Sequence, residues 1–569
     1  MQKRWAEQEL KDLKAVKELQ DQLNIDEVLA TLLVNRNITS FEDARSFFRP
    51  ELAQLHDPFL MKGMDIAVNR IHKALLSKEK ILIYGDYDVD GTTSVALVFG
   101  FFRKYHYHID YYIPDRYKEG YGISTEGIDY AHKNGISLII ALDCGIKSVD
   151  KVEYANSLNI DFIICDHHLP GCIIPDAVAV LDPKQPDCSY PYKELSGCGI
   201  GFKLVQAFAM ENNIPFQELE CYLDLVVVSI ASDIVPITGE NRVLAKFGLK
   251  RLNTLPCHGM AALIEITGKK QYTISDVVFT LGPRINASGR IDDARHSVNL
   301  LISENRDIAR SHSLIINIKN TERKEHDASI TEQALAMIAA DPDLLKRKTT
   351  VVYNEGWHKG VIGIVASRLT EKYYRPTIVL TQSNGQVSGS ARSVIGFDLY
   401  EALNSCSDLF EQFGGHKYAA GITLKTENIS ALQERFEDVV SKTIPDELLV
   451  QELVIDAKLE LDKIDGKFFR VLNQFAPFGP LNATPVFISE QVTCIGHALV
   501  VGNNHIKMTV KQGDSKPFDC IGFGLGESLD ILNENLPFDI CYTIEENVWK
   551  EKRSIQLNLK GVRRTPQHQ

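Results

Sequence analysis

Between residues 80 and 185, short apolar runs alternate with longer amphipathic stretches. The runs are "ILIY" (81–84), "YHIDYYI" (107–113), "SLIIAL" (137–142), "DFIIC" (161–165) and "DAVAVL" (176–181). Uniformly apolar runs belong to strands covered on both faces, and their alternation with helical segments predicts an open parallel α/β sheet. The longer run "LDLVVVSIASDIVPI" (223–237) predicts a buried helix with Pro236 near its end. Residues 1–70 read as helical: "LNIDEVLATLLVN" has helical periodicity, and Ser40 in "TSFEDARSFF" precedes an acidic first turn, as a helix cap does.

Further on, residues 296–345 are charged and helical, with Ile330, Ala334, Met337 and Ile338 on one face. "TTVVY", "PTIVL" and "QVSGSARS" predict the strands of a second α/β region. Near the C-terminus the runs "TPVFISEQVTCIGHAL", "HIKMTVKQ", "PFDCIGFG", "FDICYTIEE" and "SIQLNLKGV" alternate polar and apolar positions. Five such strands suit a small barrel, with the oligonucleotide-binding (OB) fold the leading candidate. The expected order is an N-terminal helical region (1–70), a parallel-sheet domain (71–295), a connecting helix (296–345), a second α/β domain (346–448) and an OB-like β-barrel (449–569). A chain of 569 residues accommodates this at about 150 residues per domain.

Composition narrows the function classes. Hydrophobic content of 44% with 24% charged residues is an ordinary globular balance. No apolar run approaches the roughly 20 residues of a membrane span, and none follows the basic residues of "MQKRWAEQELKDLK", so a cytoplasmic protein without signal peptide or membrane segment is expected. Eleven cysteines occur without a C-x-x-C pair, against both a zinc ribbon and a disulfide framework. A net charge of -13 weighs against nucleic-acid binding by the whole surface, but leaves room for a local basic groove.

The chemistry concentrates at strand ends. "ILIYGDYDVDGTTS" sets Asp86, Asp88 and Asp90 at alternate positions before Gly91. It imitates the first six positions of a calcium loop, but Leu97 stands where the twelfth-position glutamate belongs. "LIIALDCG" and "FIICDHH" likewise run from an apolar strand into Asp143 and into Asp166, His167 and His168. In an open α/β sheet the carboxyl ends of the strands line the ligand crevice. Asp233, in "SDIVPI", closes a nearly all-apolar segment where an unpaired charge is costly to bury. One acid after a strand is usually a cap or turn residue; six with two imidazoles point to bound cations. Oxygen and imidazole donors without thiolate favour Mn²⁺ or Mg²⁺. Two such ions can activate water and clamp a phosphoryl group, so phosphoester hydrolysis is the expected reaction. "GCGIGFK" (197–203) lacks the G-K-[ST] ending of a P-loop and reads as the start of a helix.

"GDYDVDG", "ALDCG", the triplet Asp166-His167-His168 and "SDIVP" resemble the four motifs of the DHH phosphoesterase superfamily, and within it the bacterial exonucleases specific for single-stranded DNA. "GPRINASGR", "SGSAR" and "GGHKYAAG" extend the resemblance over nearly the whole chain. It implies that Asp88, Asp90, Asp143, His167 and Asp233 hold two Mn²⁺ or Mg²⁺ ions, with Asp143 as bridge. His168 would lie against the scissile phosphate or the second ion, and Asp86 would support the catalytic group from its edge. Many relatives have histidine where Tyr84 stands, so no ligand comes from that position here.

The resemblance also implies a 5′ to 3′ exonuclease releasing mononucleotides in DNA repair and recombination. Its partners would be single-stranded DNA, a helicase and a single-strand-binding protein, with the chain itself a monomer. The alternative is a phosphatase of the same superfamily acting on short oligonucleotides, nucleotide phosphates or pyrophosphate; the additional barrel favours the longer strand. Arginine suits terminal phosphate because its planar fork donates two parallel hydrogen bonds. Arg116, Arg290, Ser390 with Arg392, and His416 are the candidate substrate-binding residues, all close to glycines. Tyr117 and Tyr121 either stack on bases or pack against their own domain.

Overall fold

The computed structural model describes residues 3–9, 12–383, 385–534, 536–550 and 552–565. The chain forms two compact units, one of Leu55–Val235 with Gly239–Val450, the other of Met1–Gln54, Pro236–Thr238 and Gln451–Gln569.

The first unit contains the expected parallel sheet. Its strands lie in the order Ile109–Tyr112, Lys80–Gly85, Ile136–Leu142, Asp161–Cys165 and Ala179–Leu181, each parallel to its neighbours. Leu82, Tyr84, Ile139, Ala141, Phe162 and Ile164 face one layer of helices, where they meet Ile128, Ala131, Val152 and Ala155. Helices Val89–Phe102 and Gly197–Glu211 pack on the sheet as well. The second begins within "GCGIGFK", capped by Ser196, whose hydroxyl accepts the Gly199 N–H at 3.1 Å. "LDLVVVSIAS" is the buried helix Leu223–Ser232, with Asp233 at its C-cap.

The connecting helix is Arg306–Ala340, preceded by the short helix Arg295–Leu301. Ile330, Ala334 and Ile338 are buried against Trp357, Val361, Val365 and Leu369. Met337 does not share this burial and is 39% exposed. The buried stripe follows the i, i+4, i+8 row, and residue i+7 falls at its solvent edge. A five-stranded sheet follows in the order Phe410–His416, Ala419–Leu424, Gln386–Arg392, Thr377–Ser383 and Thr350–Tyr353, antiparallel except for the last pair.

In the second unit, strands Phe487–Val501, His505–Lys511, Phe518–Gly522, Lys552–Arg564 and Phe538–Trp549 neighbour one another in that order. Pairing of the last with the first closes the barrel. The N-terminal helices Leu13–Leu23 and Glu27–Asn35 contribute Leu19, Leu29 and Leu33 to a core shared with Phe468, Phe475, Phe487 and Tyr542. Residues 1–70 are not helical throughout. Arg4–Glu7 is a strand, parallel to Glu452–Ile455 with Trp5 opposite Leu453. A strand of four residues has too few alternating positions to be recognised without its partner, and that partner lies more than four hundred residues along the chain.

Candidate metal centre and nucleic-acid cleft

The acid-bearing runs end side by side because Lys80–Gly85, Ile136–Leu142 and Asp161–Cys165 are adjacent parallel strands. Asp143 follows its strand with φ +60°, its N–H donating to the Cys165 carbonyl at 2.9 Å. A left-handed non-glycine residue is uncommon, and here it sits at the centre of the cluster.

His167 Nε2 lies 3.1 Å from Asp143 Oδ1, 3.5 Å from Asp233 Oδ2 and 3.7 Å from Asp90 Oδ2. Asp90 is buried and accepts the Gly197 N–H at 2.7 Å, the Cys198 N–H at 2.8 Å and the Ser229 hydroxyl at 2.7 Å. The start of the 197–211 helix thus aims its free N–H groups at a carboxylate. Asp88 caps the helix Val89–Phe102, accepting the Gly91 N–H at 3.0 Å. Burial, then the facing Asp90, Asp88 and Asp233, push the Asp143 carboxyl well above its ordinary range. Burial and the Asp90 charge raise Asp233 to about 8. Asp86 is fully buried, with Oδ1 taking the Gly122 N–H at 3.5 Å and Oδ2 without a hydrogen-bond partner.

Asp166 is different. Its Oδ1 accepts the N–H groups of His167 at 2.7 Å and His168 at 3.1 Å together with His168 Nδ1–H at 2.7 Å, and Oδ2 accepts the Ile146 N–H at 2.9 Å. Burial alone would raise this acid, but the His168 and backbone hydrogen bonds outweigh it and hold the carboxyl at about 2. Burial would likewise lower His168; the Asp166 hydrogen bond and charge overcome it and raise the imidazole to about 9. Burial lowers His167, the direction that favours its neutral form, and its Nε2 is the ring nitrogen that faces the carboxylates.

Donor atoms of Asp143, His167 and His168, and those of Asp90, His167 and Asp233, form two groups within 4.8 Å. Converging buried carboxylates around an imidazole nitrogen, with Asp86 Oδ2 unpartnered beside them, fit divalent cations bound by oxygen and nitrogen. Tyr84 faces away from this cluster. It is buried in the core, stacked on Tyr112, and its hydroxyl donates to the Gly122 carbonyl at 2.9 Å.

Beside the cluster runs a cleft of about 430 Å³, lined by Tyr87, Arg116, Tyr121, Arg290, Ser390 and Arg392 among others. Tyr121 joins the two: its hydroxyl is 3.2 Å from His168 Nε2. Burial, then the neighbouring Arg116 and Arg392 charges, lower the Arg290 guanidinium to about 9. Among the described residues no acid lines this cleft beside its three arginines, the arrangement expected where an anion binds. Arg116 stacks over Tyr87 at 4.8 Å, and Arg392 Nη1 donates to the Ser390 hydroxyl at 3.1 Å. His416 ends the strand Phe410–His416 with its ring only partly withdrawn from water; that partial desolvation, then the Arg392 and His168 charges, lower its pKa. Tyr117 packs against its own unit: its hydroxyl donates to the Arg290 carbonyl, and its ring lies edge-on to His358 at 6.3 Å. Sequence reasoning passed over Tyr87, Lys359 and Ser229, and read Gly197 only as the start of a helix, because their roles at the site arise from contacts made across the fold.

Models for the DHH family N-terminal domain, the DHHA1 domain and the RecJ OB domain match residues 80–230, 346–442 and 455–561. Over 556 residues, 97% of this chain and 70% of the relative, the sequence is 38% identical to the single-stranded-DNA-specific exonuclease RecJ of Bacillus subtilis strain 168. The chain belongs to the RecJ family. RecJ of Escherichia coli K12 is 33% identical over 526 residues, 88% of this chain and 90% of that one. The crystal structure of Thermus thermophilus RecJ in complex with Mn²⁺ matches with a TM-score of 0.84 at 26% identity, covering 99% of this chain and 80% of that one. The Mg²⁺ complex of the same RecJ matches at 0.79 and 25%, with 99% and 79% covered. The parallel-sheet domain, second α/β domain and terminal barrel expected from the hydrophobic pattern are thus the architecture of this family.

Proposed function

We infer that this chain is a metal-dependent exonuclease that degrades single-stranded DNA from its 5′ end to mononucleotides. The observation that carries the reading is one compact unit in which a carboxylate–imidazole cluster adjoins an arginine-lined cleft through Tyr121. Membership of the RecJ family and the metal complexes of a RecJ structure support it.

In this reading Asp88, Asp90, Asp143, His167 and Asp233 hold two Mn²⁺ or Mg²⁺ ions, and Asp86 supports the edge of the cluster through Gly122. Bound there, the ions would supply Lewis-acid chemistry, lowering the pKa of water and offsetting phosphoryl charge. The chain's own residues do the positioning. Arg116, Arg290, Arg392 and Ser390 take the 5′-terminal phosphate, His416 borders it, and the next phosphodiester comes to lie at the carboxylates. Water adds to that phosphorus, the bond to O3′ of the first nucleotide breaks, and the proton ends on that O3′. The phosphate stays on the shortened strand, which again presents a 5′-phosphate to the arginines. His168, its Nδ1–H fixed on Asp166, presents Nε2–H on the Tyr121 side, where it can donate to a phosphate oxygen.

No described helix is long and apolar enough to cross a membrane. We place the enzyme in the cytoplasm as a monomer working in DNA repair and recombination, beside a helicase and a single-strand-binding protein. The test uses full-length protein, Mn²⁺ and single-stranded DNA labelled at either end, beside Asp143→Ala and a blunt duplex. Immediate release of labelled mononucleotide from the 5′ end alone, absent with the variant and the duplex, is expected. An intact long strand with hydrolysis of dinucleotides or pyrophosphate would replace the reading with a small-substrate phosphatase.

A further inference from the structure

The loop between strand Thr350–Tyr353 and helix Ile362–Tyr373 supplies Lys359 and Gly360 to the wall of the arginine cleft. His358, one position earlier, is not part of that wall, and its ring is held from two sides. His326 of the connecting helix stacks on it with ring centres 5.2 Å apart and planes 26° from parallel, and Tyr117 meets it edge-on at 6.3 Å. Its Nδ1 accepts the Gly360 N–H at 3.1 Å. A backbone N–H can only donate, so Nδ1 carries the lone pair and the neutral ring keeps its proton on Nε2. Burial, then the adjacent His326, lower the His358 imidazole, the direction that favours this neutral form.

Gly360 passes this constraint on to Arg290. Its carbonyl accepts Arg290 Nη1–H at 3.2 Å, and Tyr117 closes the circuit by donating its hydroxyl to the Arg290 carbonyl. A Cβ on Gly360 would overlap both that carbonyl oxygen and the Tyr117 hydroxyl, so the backbones meet where no side chain fits. The residue that accepts an N–H two positions along is ordinarily Asp, Asn, Ser or Thr, and in the same loop Asn354 does so for Gly356 at 2.8 Å. A carboxylate at position 358 would set a negative charge behind the arginines and oppose a bound anion. A neutral imidazole accepts the same N–H without that charge.

We propose that His358 is a positioning residue for the 5′-terminal phosphate: by fixing Gly360 it aims the Arg290 guanidinium into the cleft and sets the preference for a phosphorylated end. The proposal rests on the reading of that cleft as the seat of the terminal phosphate. His358 acts through Gly360 and not on the phosphate itself. The group that matters is therefore the Nδ1 acceptor, and the stacked ring serves to hold it in place.

The experiment measures kcat and KM of full-length wild type, His358→Phe and His358→Asn with Mn²⁺ on one single strand carrying either a 5′-phosphate or a 5′-hydroxyl. Phenylalanine keeps the ring between His326 and Tyr117 and removes the acceptor; asparagine sets Oδ1 where Nδ1 stands and removes the ring. His358→Phe should raise KM on the phosphorylated strand about tenfold, the effect of one hydrogen bond lost with its donor left unpaired, with kcat and the hydroxyl strand unchanged. His358→Asn should keep KM within about threefold of wild type. The reverse order, phenylalanine near wild type and asparagine impaired, shows a packing role and overturns the proposal, as does an equal loss on both strands. Should His358→Phe fail to fold, His358→Ala replaces it, and alanine matching asparagine overturns the proposal. A phosphate preference in wild type that every variant retains overturns the proposal alone. Wild type that degrades both strands with equal kcat/KM overturns the reading of the cleft and the proposal with it.

Discussion

Gly197→Ala should disable the metal centre without touching any ionisable group. A Cβ on Gly197 would sit 2.7 Å from Asp143 Cβ, 2.9 Å from its Oδ1 and 3.0 Å from its Cα. Carbon atoms in contact rest at about 3.5–4.0 Å, so Asp143 or the helix start must yield by roughly 0.8 Å. Neither can do so freely. Asp143 holds its left-handed conformation through the Cys165 carbonyl, and the Gly197 N–H is fixed on Asp90 at 2.7 Å. Overpacking of this kind costs about 1–3 kcal/mol of stability. A displacement near 1 Å at a reacting centre costs about 10²-fold in rate. The assay is exonuclease rate and Mn²⁺ titration calorimetry, with Gly199→Ala as the comparison. A Cβ at Gly199 meets Ser196 Oγ at 3.4 Å and Leu195 at 3.5 Å, ordinary contacts on the same helix, and alanine there should leave the rate near wild type. Gly197→Ala with a rate and Mn²⁺ affinity within about threefold of wild type would refute this account, since a tenfold change corresponds to 1.4 kcal/mol.

Arg392→Ala removes one of three guanidinium groups from the cleft; a charged hydrogen bond is worth about 1.5–3 kcal/mol, so kcat/KM on 5′-phosphorylated DNA should fall at least tenfold, and the preference over 5′-hydroxyl DNA should fall with it. Lys203 and Glu240 are a fully buried ion pair at 3.0 Å, shared with Tyr190 and the His56 backbone. Lys203→Met alone should cost about 3–5 kcal/mol in denaturant unfolding, and Lys203→Met/Glu240→Gln should recover part of it. Metal-free protein should lose stability as pH rises from about 4 to 8, because Asp233, raised to about 8, binds more protons folded than unfolded there. Mn²⁺ at a hundred times its pH 6 Kd adds about 2.7 kcal/mol at pH 6, and at that same concentration the Mn²⁺-induced rise in Tm should be larger at pH 8; a shift independent of pH would contradict the raised carboxylates.

The sequence by itself determined the parallel sheet and the acids at its edge. In "ILIYGDYDVDG", "LIIALDCG" and "FIICDHH" the apolar run and the polar group are adjacent, so chain connectivity alone carries the carboxylate to the strand's end. The barrel was legible for the same local reason, since period-two alternation within each run marks its strands. Tertiary structure alone decided what those groups meet. Asp90 is held by donors from Gly197, Cys198 and Ser229, more than a hundred positions away, and Arg116, Arg290 and Arg392 converge from three distant segments. It also paired Arg4–Glu7 with Glu452–Ile455 and seated Trp5 on Gly561. Hydrophobic periodicity specifies which face of an element is buried but not the partner that buries it. The partner is chosen when the assembled cores bring distant segments together, and there the positions of single glycines and unpaired cations acquire their chemistry.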